Sequence, residues 1–290
     1  MKTLLKTLLT VLLLYGATGA TGVTAQETRT ETLRSGGVER TYRLHLPADL
    51  PDNAPLVIVL HGYGGDANPE AFGMNATADR HGFAVCYPQG ERDSRGKRGW
   101  NVGYPSQAEM PIDDVQFLED LIGHLHRHYG LSRRNVFCTG MSNGGDMCYL
   151  LAAQRPDLFA ALGPVAGFMS VAILREDKSL QPVPLFEIHG TADPTTRWEG
   201  DLTGEGGWGA YLPIPMAVGY WAAKNKCLEH RIDTLSRGAD GLQVIAHRYT
   251  GGTDGNEVWL YETLGGKHSW KKTGVDTCEE LWRFFSRYVR

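Results

Sequence analysis

The chain has 290 residues, of which 42% are hydrophobic and 21% are charged, so a globular protein with a sizeable core is expected. The formal net charge of −4 at pH 7 and the absence of a Lys/Arg cluster in the sequence argue against a nucleic-acid partner. Five cysteines occur without a C-x-x-C pair, which disfavours a zinc site or a thioredoxin-like site. No metal or other cofactor is expected.

The first 25 residues have the layout of a secretory signal peptide. Lys2 and Lys6 precede an apolar run, and small residues then lead to Gln26. The run is well short of the ~20 residues that a membrane-spanning helix needs, which disfavours the alternative of an anchor. We therefore expect a secreted or periplasmic protein, with no membrane partner after cleavage and with residues 26–290 forming a single domain.

Export permits disulfides, and the odd number of cysteines leaves at least one thiol unpaired. Cys86, Cys138 and Cys148 lie in apolar segments and are interpreted as small buried hydrophobes. Cys227 and Cys278 are the better candidates for a bridge.

Strand and helix patterns alternate after the signal. An antiparallel hairpin is predicted around Ser35-Gly36-Gly37. Apolar runs then predict strands that are buried on both faces, at residues 55–62, 82–90, 135–140, 159–167 and 183–190. Helices are predicted at 75–81, 114–129, 143–154, 215–225 and 277–289, and two further strands at 242–250 and 257–264. This order describes an α/β fold with an open, mostly parallel sheet covered by helices on both faces.

The sequence Gly140-Met141-Ser142-Asn143-Gly144 is a G-x-S-x-G pattern between a predicted strand and a predicted helix. A sharp strand-to-helix turn exposes a serine hydroxyl, and its glycines are needed where strand and helix cross closely. An ordinary Gly/Ser loop is the alternative, but the partners that a catalytic serine needs follow in order. Ser142 is the predicted nucleophile.

The segment LHGYGG at residues 60–65 ends the strand at 55–62 and predicts an oxyanion loop. A developing oxyanion needs two preorganised N–H donors, for which we select the backbone amides of Tyr63 and Asn143. A flexible turn is the alternative for this segment. His61 and His189 precede glycines at strand ends and are expected to anchor loops by hydrogen bonds.

Asp193 follows the strand at 183–190 and is the predicted acid, with Asp201 as a fallback. The alternative for Asp193 is an Asx-turn residue before Pro194. The chain order serine, acid, histidine then leaves three candidate bases.

Of the three, His247 lies inside a predicted strand and His230 in a polar connection after a helix. His268 lies in a Gly-rich loop after the last strand and is therefore the predicted base. His124 and His128 share a helix face, which we interpret as a solvated surface and not as a metal site.

Seven stretches together resemble the secreted α/β-hydrolase esterases that include polyhydroxybutyrate depolymerases, feruloyl esterases and acetylxylan esterases. They are LHGYGG, YPQG (87–90), WN (100–101), DDVQF (113–117), GMSNGG (140–145), HGTAD (189–193) and GGKHSW (265–270). The resemblance implies an α/β-hydrolase fold and the triad Ser142, Asp193 and His268.

Two departures from the family pattern are visible. Lys267 and Lys271 stand where the family usually has Gly before the histidine and Pro after the following Trp. Relatives often pair the cysteine at the position of Cys227 with one near Gly251-Gly252, where this chain has none.

Between the strands at 159–167 and 183–190 there is too little chain for a cap domain, so an open cleft is expected. The Gly-rich segment 195–215 follows the acid and carries Trp198, Trp208 and Tyr211. We interpret it as a substrate-binding rim that offers flat rings to a sugar or cinnamoyl group, joined by Trp100, Tyr104 and Trp270. Packing of these rings on the sheet edge is the alternative.

The expected function is a serine carboxylesterase that acts on polysaccharide-linked esters, with feruloyl esters of arabinoxylan as the first choice. Acetylxylan is the second choice. Polyhydroxyalkanoate is the third, because no additional polymer-binding domain is recognised in the sequence. A carbohydrate-binding protein on an inactive hydrolase scaffold is the non-enzymatic alternative.

Overall fold

A computed structural model describes residues 27–179 and 181–290. The predicted signal peptide at residues 1–25 lies outside the described residues. In the part of the chain that is described, no helix combines the length and the apolar character needed to cross a membrane.

A ten-stranded sheet forms the centre of the fold, in the order β1-β2-β4-β3-β7-β8-β9-β12-β11-β10. Its strands are β1 (Glu27–Ser35), β2 (Val38–Leu46), β3 (Leu56–Leu60), β4 (Ala84–Pro88), β7 (Val136–Met141), β8 (Ala161–Val165), β9 (Leu185–Gly190), β10 (Glu229–Thr234), β11 (Gln243–Thr250) and β12 (Val258–Leu264). Strands β5 (Glu91–Arg92) and β6 (Arg98–Gly99) form a separate small hairpin. The six strands from β4 to β12 in this order pair in parallel, and antiparallel strands flank them on both sides.

Helices and short 3-10 segments connect the strands. The helices are α1 (Pro69–Phe72), α2 (Met74–His81), α3 (Asp114–Tyr129), α4 (Asn143–Gln154), α5 (Val171–Glu176), α6 (Ile214–Lys224) and α7 (Thr277–Phe285). The 3-10 segments are Pro105–Gln107, Thr253–Gly255 and Ser286–Tyr288.

The sheet separates two hydrophobic cores, one on each face. Successive side chains of a strand point to opposite faces, so a strand that is buried on both faces contributes to both cores. Along β3, Ile58 packs in the core that includes Leu121 of α3, whereas Val57 packs in the core that includes Phe285 of α7. This two-sided burial explains why the parallel strands are nearly continuous apolar runs. The predicted α/β fold with a mostly parallel sheet is confirmed.

The ends of α3 show why its bounds were predictable. The Asp113 side chain accepts a hydrogen bond from the Gln116 amide, and Gly130 ends the helix in the left-handed region at φ 65°. Both signals are visible in the sequence.

Some elements were not predicted. Strand β10 contains His230, which we placed in a polar connection, and α5 and the β5–β6 hairpin were also missed. The side chains of β10 are mostly exposed along its whole length, so the apolar alternation that marks a half-buried strand is lacking.

The expected bridge between Cys227 and Cys278 is wrong. Both thiols are free: Cys278 Sγ lies 3.2 Å from the Phe72 carbonyl oxygen, and Cys227 Sγ lies 3.9 Å from the Asn256 carbonyl oxygen. A Cβ atom at Gly252 would lie 3.2 Å from Cys227 Sγ but only 2.5 Å from the Asn256 oxygen. The backbone therefore leaves no room for a side chain at Gly252.

Candidate active site

The predicted site residues follow parallel strands and meet at one edge of the sheet. Tyr63 follows β3, Ser142 follows β7, Asp193 follows β9 and His268 follows β12. These strands run in the same direction, so their carboxyl ends share the edge at which open α/β sheets bind ligands.

Ser142 occupies the tight turn between β7 and α4. Its φ of 56° and ψ of −123° are strained for a residue with a Cβ atom. A Cβ on Gly140 would lie 2.6 Å from the Gly144 backbone, and one on Gly144 would lie 2.3 Å from the Leu60 carbonyl oxygen. The two glycines of the motif thus stand where strand and helix leave no room for a side chain, as predicted.

The oxyanion loop lies against this turn. A Cβ on Gly62 would be 3.4 Å from Ser142 Cβ and 3.9 Å from its hydroxyl oxygen. Within residues 27–179 and 181–290, the backbone amides of Tyr63 and Asn143 have no hydrogen-bond acceptor. Both donors are therefore available to a ligand at the site.

His61 fixes the oxyanion loop, as predicted. Its Nδ1 donates to the Gly62 carbonyl oxygen at 2.8 Å, and its Nε2 accepts from the Gln89 side chain at 2.8 Å and the Gly90 amide at 3.0 Å. This arrangement needs a neutral ring. Burial lowers the pKa of His61, in agreement with that requirement.

Trp100 packs beneath the protein surface against the same loop, so its assignment to the substrate-binding rim is wrong. Its ring has no exposed surface, and its Nε1 donates to the His61 carbonyl oxygen at 2.9 Å. The Asn143 side chain accepts from the Trp100 amide at 2.6 Å and donates to its carbonyl oxygen at 3.0 Å. Trp100 therefore holds the loop and Asn143 in place from the interior, and it offers no surface to a substrate.

Asp193 and His268 are joined by a hydrogen bond. His268 Nδ1 lies 2.7 Å from Asp193 Oδ2, the carboxylate is fully buried, and the imidazole is 19% exposed. Asp193 Oδ1 accepts from the amides of Thr195 at 2.8 Å and Thr196 at 2.9 Å. The Asx-turn and the histidine contact therefore use different oxygens of one carboxylate, so the two interpretations of Asp193 are compatible.

The fallback acid, Asp201, is engaged elsewhere. It accepts hydrogen bonds from Thr203 and from the amides of Gly204 and Gly206, which closes the turn of its own loop. These bonds lower the pKa of Asp201.

The histidine loop is attached to the acid turn by backbone contacts. The Ala192 amide donates to the Gly266 carbonyl oxygen, and the Gly265 amide donates to Thr191 Oγ1, both at 2.9 Å. Lys267 is exposed, and Lys271 Nζ donates to the Glu70 carbonyl oxygen at 3.1 Å. The two lysines that depart from the family pattern thus point to the surface and leave the His268 contact in place.

The predicted rim is smaller than expected. Tyr211 is buried and stacked on Phe168 at 4.2 Å between ring centroids, and Trp270 is buried with its Nε1 bonded to the Phe72 carbonyl oxygen. Tyr104 is buried too, and its hydroxyl donates to Asp146. The assignment of these three residues to the rim is therefore wrong, because their rings pack inside the protein. Trp198 and Trp208 are half-buried and remain available.

Trp208 lies close to the oxyanion loop. Its ring centroid is 5.3 Å from that of Tyr63 at an interplanar angle of 74°, and 5.1 Å from that of Tyr104. Edge-to-face contacts of this kind hold aromatic rings in defined orientations.

Sequence reasoning missed the buried polar groups beneath the site. Asp146, in the first turn of α4, accepts from the Phe168 amide at 2.7 Å and from the Tyr104 hydroxyl, and burial raises the pKa of its carboxyl group. Glu187 lies in β9 and is also fully buried. A carboxylate inside a mostly apolar strand was the available signal for Glu187.

Residues 40–179 match the family model described as esterase PHB depolymerase. The matched segment contains the predicted oxyanion loop and the predicted nucleophile Ser142, whereas Asp193 and His268 lie beyond it.

Several curated proteins are similar to this chain. A putative esterase, NocK, of Nocardia uniformis subsp. tsuyamanensis is 35% identical over 173 residues, which are 57% of this chain and 48% of that protein. A bifunctional acetylxylan esterase/xylanase of Neocallimastix patriciarum is 28% identical over 57% of this chain and 23% of its own length. A probable feruloyl esterase C of Aspergillus niger is 25% identical over 80% of this chain and 83% of its own length. The chain thus spans less than half of the length of the first two relatives.

Solved structures share the architecture. An acetyl xylan esterase from Aspergillus awamori superposes with a TM-score of 0.64 over 90% of this chain and 99% of its own, at 15% identity. An S-formylglutathione hydrolase from Agrobacterium tumefaciens superposes with a TM-score of 0.59 over 91% of this chain and 95% of its own, also at 15% identity. These likenesses establish the α/β-hydrolase fold.

Proposed function

We propose that this protein is a secreted serine carboxylesterase with Ser142, His268 and Asp193 as its catalytic triad. The observation that carries the proposal is the 2.7 Å hydrogen bond between His268 and the buried Asp193, at the sheet edge where Ser142 occupies a strained turn. This arrangement matches the known organisation of serine hydrolases.

In the proposed mechanism, Ser142 Oγ attacks the acyl carbon while His268 Nε2 removes its proton. The Tyr63 and Asn143 amides stabilise the negative oxygen of the tetrahedral intermediate. His268 then gives its proton to the leaving alcohol, and later activates the water that releases the acid. Asp193 keeps the imidazole in the tautomer with a proton on Nδ1, and stabilises its positive form.

Feruloyl esters of arabinoxylan are the substrate class that we favour. Trp208 is half-buried and lies next to Tyr63 of the oxyanion loop, so a flat phenolic or sugar ring at the site would meet an aromatic surface. The similarity to a probable feruloyl esterase C extends over most of both chains, which supports the same choice. Acetylxylan is the second candidate, because a relative is named for that activity.

The test is an analysis of products from feruloylated arabinoxylan and acetylated xylan, with Ser142→Ala as the matched control. Release of ferulate by the wild-type enzyme, at a higher kcat/KM than release of acetate, is expected. Release of acetate alone would select the second candidate. If neither acid is released and a generic p-nitrophenyl ester gives no burst of acylation, the proposed activity is contradicted and a carbohydrate-binding role is favoured.

A further inference from the structure

A second histidine–carboxylate pair lies directly beneath the acid turn. His189 and Glu187 belong to β9, and the side chains of both are fully buried. His189 Nδ1 lies 2.8 Å from Glu187 Oε1. The Tyr149 hydroxyl donates to Glu187 Oε2 at 3.1 Å, and the Gly167 amide donates to Oε1 at 3.3 Å. The proposed reaction makes no use of this pair.

The other ring nitrogen of His189 faces the acid turn. Its Nε2 lies 2.9 Å from the Thr196 carbonyl oxygen, and 3.7 Å from Asp193 Oδ2. A carbonyl oxygen only accepts hydrogen bonds, so Nε2 carries a proton. Burial lowers the pKa of His189, but the bond to Glu187 and the nearby Thr196 and Asp193 oxygens together raise it above its ordinary value. Nδ1 and Glu187 Oε1 lie within hydrogen-bond distance of each other and share one further proton.

Thr196 connects this pair to the triad. Its carbonyl oxygen accepts from His189, while its amide donates to Asp193 Oδ1 at 2.9 Å. The remaining oxygen of Asp193 accepts from His268 at 2.7 Å. A chain of hydrogen bonds therefore runs from Glu187 through His189 and Thr196 to the carboxylate that orients His268.

We propose that His189 is a positioning residue for the triad, whose Nε2–H holds Thr196 and thereby fixes the orientation of the Asp193 carboxylate toward His268. Glu187 holds the His189 ring in the required orientation. The effect on turnover rests on the proposed function, whereas the effect on the His268–Asp193 bond does not.

Two substitutions separate the roles of the two ring nitrogens. A glutamine amide nitrogen can take the place of Nε2, so His189→Gln keeps a donor for Thr196 but removes the partner of Glu187. An asparagine amide nitrogen can take the place of Nδ1, so His189→Asn keeps the contact with Glu187 but releases Thr196. Each variant is the matched control for the other.

The kinetic readout uses kcat and KM for p-nitrophenyl acetate, together with the melting temperature. His189→Asn should lower kcat by about 10- to 100-fold and leave KM within about twofold, because a small misplacement of a catalytic group is costly. His189→Gln should keep kcat within about threefold but melt at a lower temperature, because it leaves a buried carboxyl group without its partner. Unchanged kcat in His189→Asn, or equal losses of kcat in both variants, would overturn the positioning role.

The second readout does not depend on turnover. Proton NMR of the imidazole N–H groups reports whether His268 Nδ1–H remains bonded to Asp193. Its downfield resonance should persist in the wild-type protein and in His189→Gln, and should be lost or broadened in His189→Asn. If the three proteins show this pattern but the wild-type protein cleaves no ester, the proposed function is contradicted and the positioning role is supported. An unchanged resonance in His189→Asn would refute the positioning role whatever the activity.

Discussion

Two histidine–carboxylate pairs both lie within hydrogen-bond distance, but they differ in their position in the fold and in the burial of the carboxylate. His268 and Asp193 are 2.7 Å apart at the carboxyl ends of the parallel strands, whereas His247 and Glu262 are 3.1 Å apart on the antiparallel strands β11 and β12. The Asp193 carboxylate is fully buried, whereas the Glu262 side chain is 23% exposed. The neighbour of His247 on β10 is another histidine, His230, at 3.3 Å.

From this difference we infer that a hydrogen-bonded carboxylate alone would not make a histidine the catalytic base, and that the surroundings of the pair decide. Asp193 is held by two backbone amides in the turn after β9, at the edge where the strained turn of Ser142 and two free amides also lie. Glu262 lies within β12, where successive side chains point to opposite faces of the sheet. Neighbouring side chains of the strand therefore do not gather at a single site. The following experiments test this contrast.

The largest effect is expected from Ser142→Ala. Removal of the nucleophile should lower kcat on p-nitrophenyl acetate by at least about a thousandfold, because the members of a triad act as a unit. The melting temperature should stay close to that of the wild type, since the side chain is small. A substantial residual rate in the variant would show that another group is the nucleophile.

The comparison of the two pairs is tested most sharply by His268→Ala and His247→Ala. The first should lose as much activity as Ser142→Ala, and the double variant with Ser142→Ala should be no worse than either single variant. His247→Ala and His230→Ala should keep kcat/KM within about twofold. An inactive His247→Ala variant would overturn the choice of base.

Gly144→Ala should affect both stability and activity. Its Cβ atom would lie 2.3 Å from the Leu60 carbonyl oxygen, so strand β3 or helix α4 must shift, at a cost of about 1–3 kcal/mol in the free energy of unfolding. Gly219→Ala in α6 is the matched control, because its Cβ atom meets nothing within 4 Å and helix propensity favours alanine. Denaturant unfolding of both variants measures the difference, and equal stabilities would contradict the close crossing.

The smallest effect is expected from Trp208→Ala. A ring stacked on a sugar or phenolic face contributes on the order of 1 kcal/mol, which is about fivefold in binding. KM for a feruloylated oligosaccharide should therefore rise several-fold, with little change in kcat/KM for a small acetate ester. Equal losses on both esters would indicate that Trp208 acts by packing on Tyr63 and Tyr104, and not as a substrate-binding rim.

Much of the fold was predictable because the parallel strands are buried on both faces and the helix ends carry capping signals. Helices α3 and α4 have the predicted bounds, 114–129 and 143–154. Strand β10 was missed because its exposed side chains follow no apolar pattern. The partnership of Asp193 with His268 was predicted from chain order together with the position of each residue in a loop after a strand.

Burial of individual rings was harder to predict than backbone placement. Trp100, Tyr211 and Trp270 occur near site motifs, yet each is nearly or fully buried and holds a backbone group or packs on another ring. The hydrogen-bonded pair of Glu187 and His189 was also not predicted. Its proposed role depends on the contact between His189 and Thr196, and the turn after β9 is what brings these two residues together. Such contacts are set by tertiary packing, which local patterns do not encode.

The central claim is that Ser142 is a nucleophile activated by His268. Its most direct test is covalent labelling with a fluorophosphonate probe, followed by mass spectrometry of the digested protein. We expect one label per chain, on the peptide that contains Ser142, with no labelling of Ser142→Ala and much slower labelling of His268→Ala than of His247→Ala. A label on a different residue, or equal labelling rates in the two histidine variants, would contradict the account.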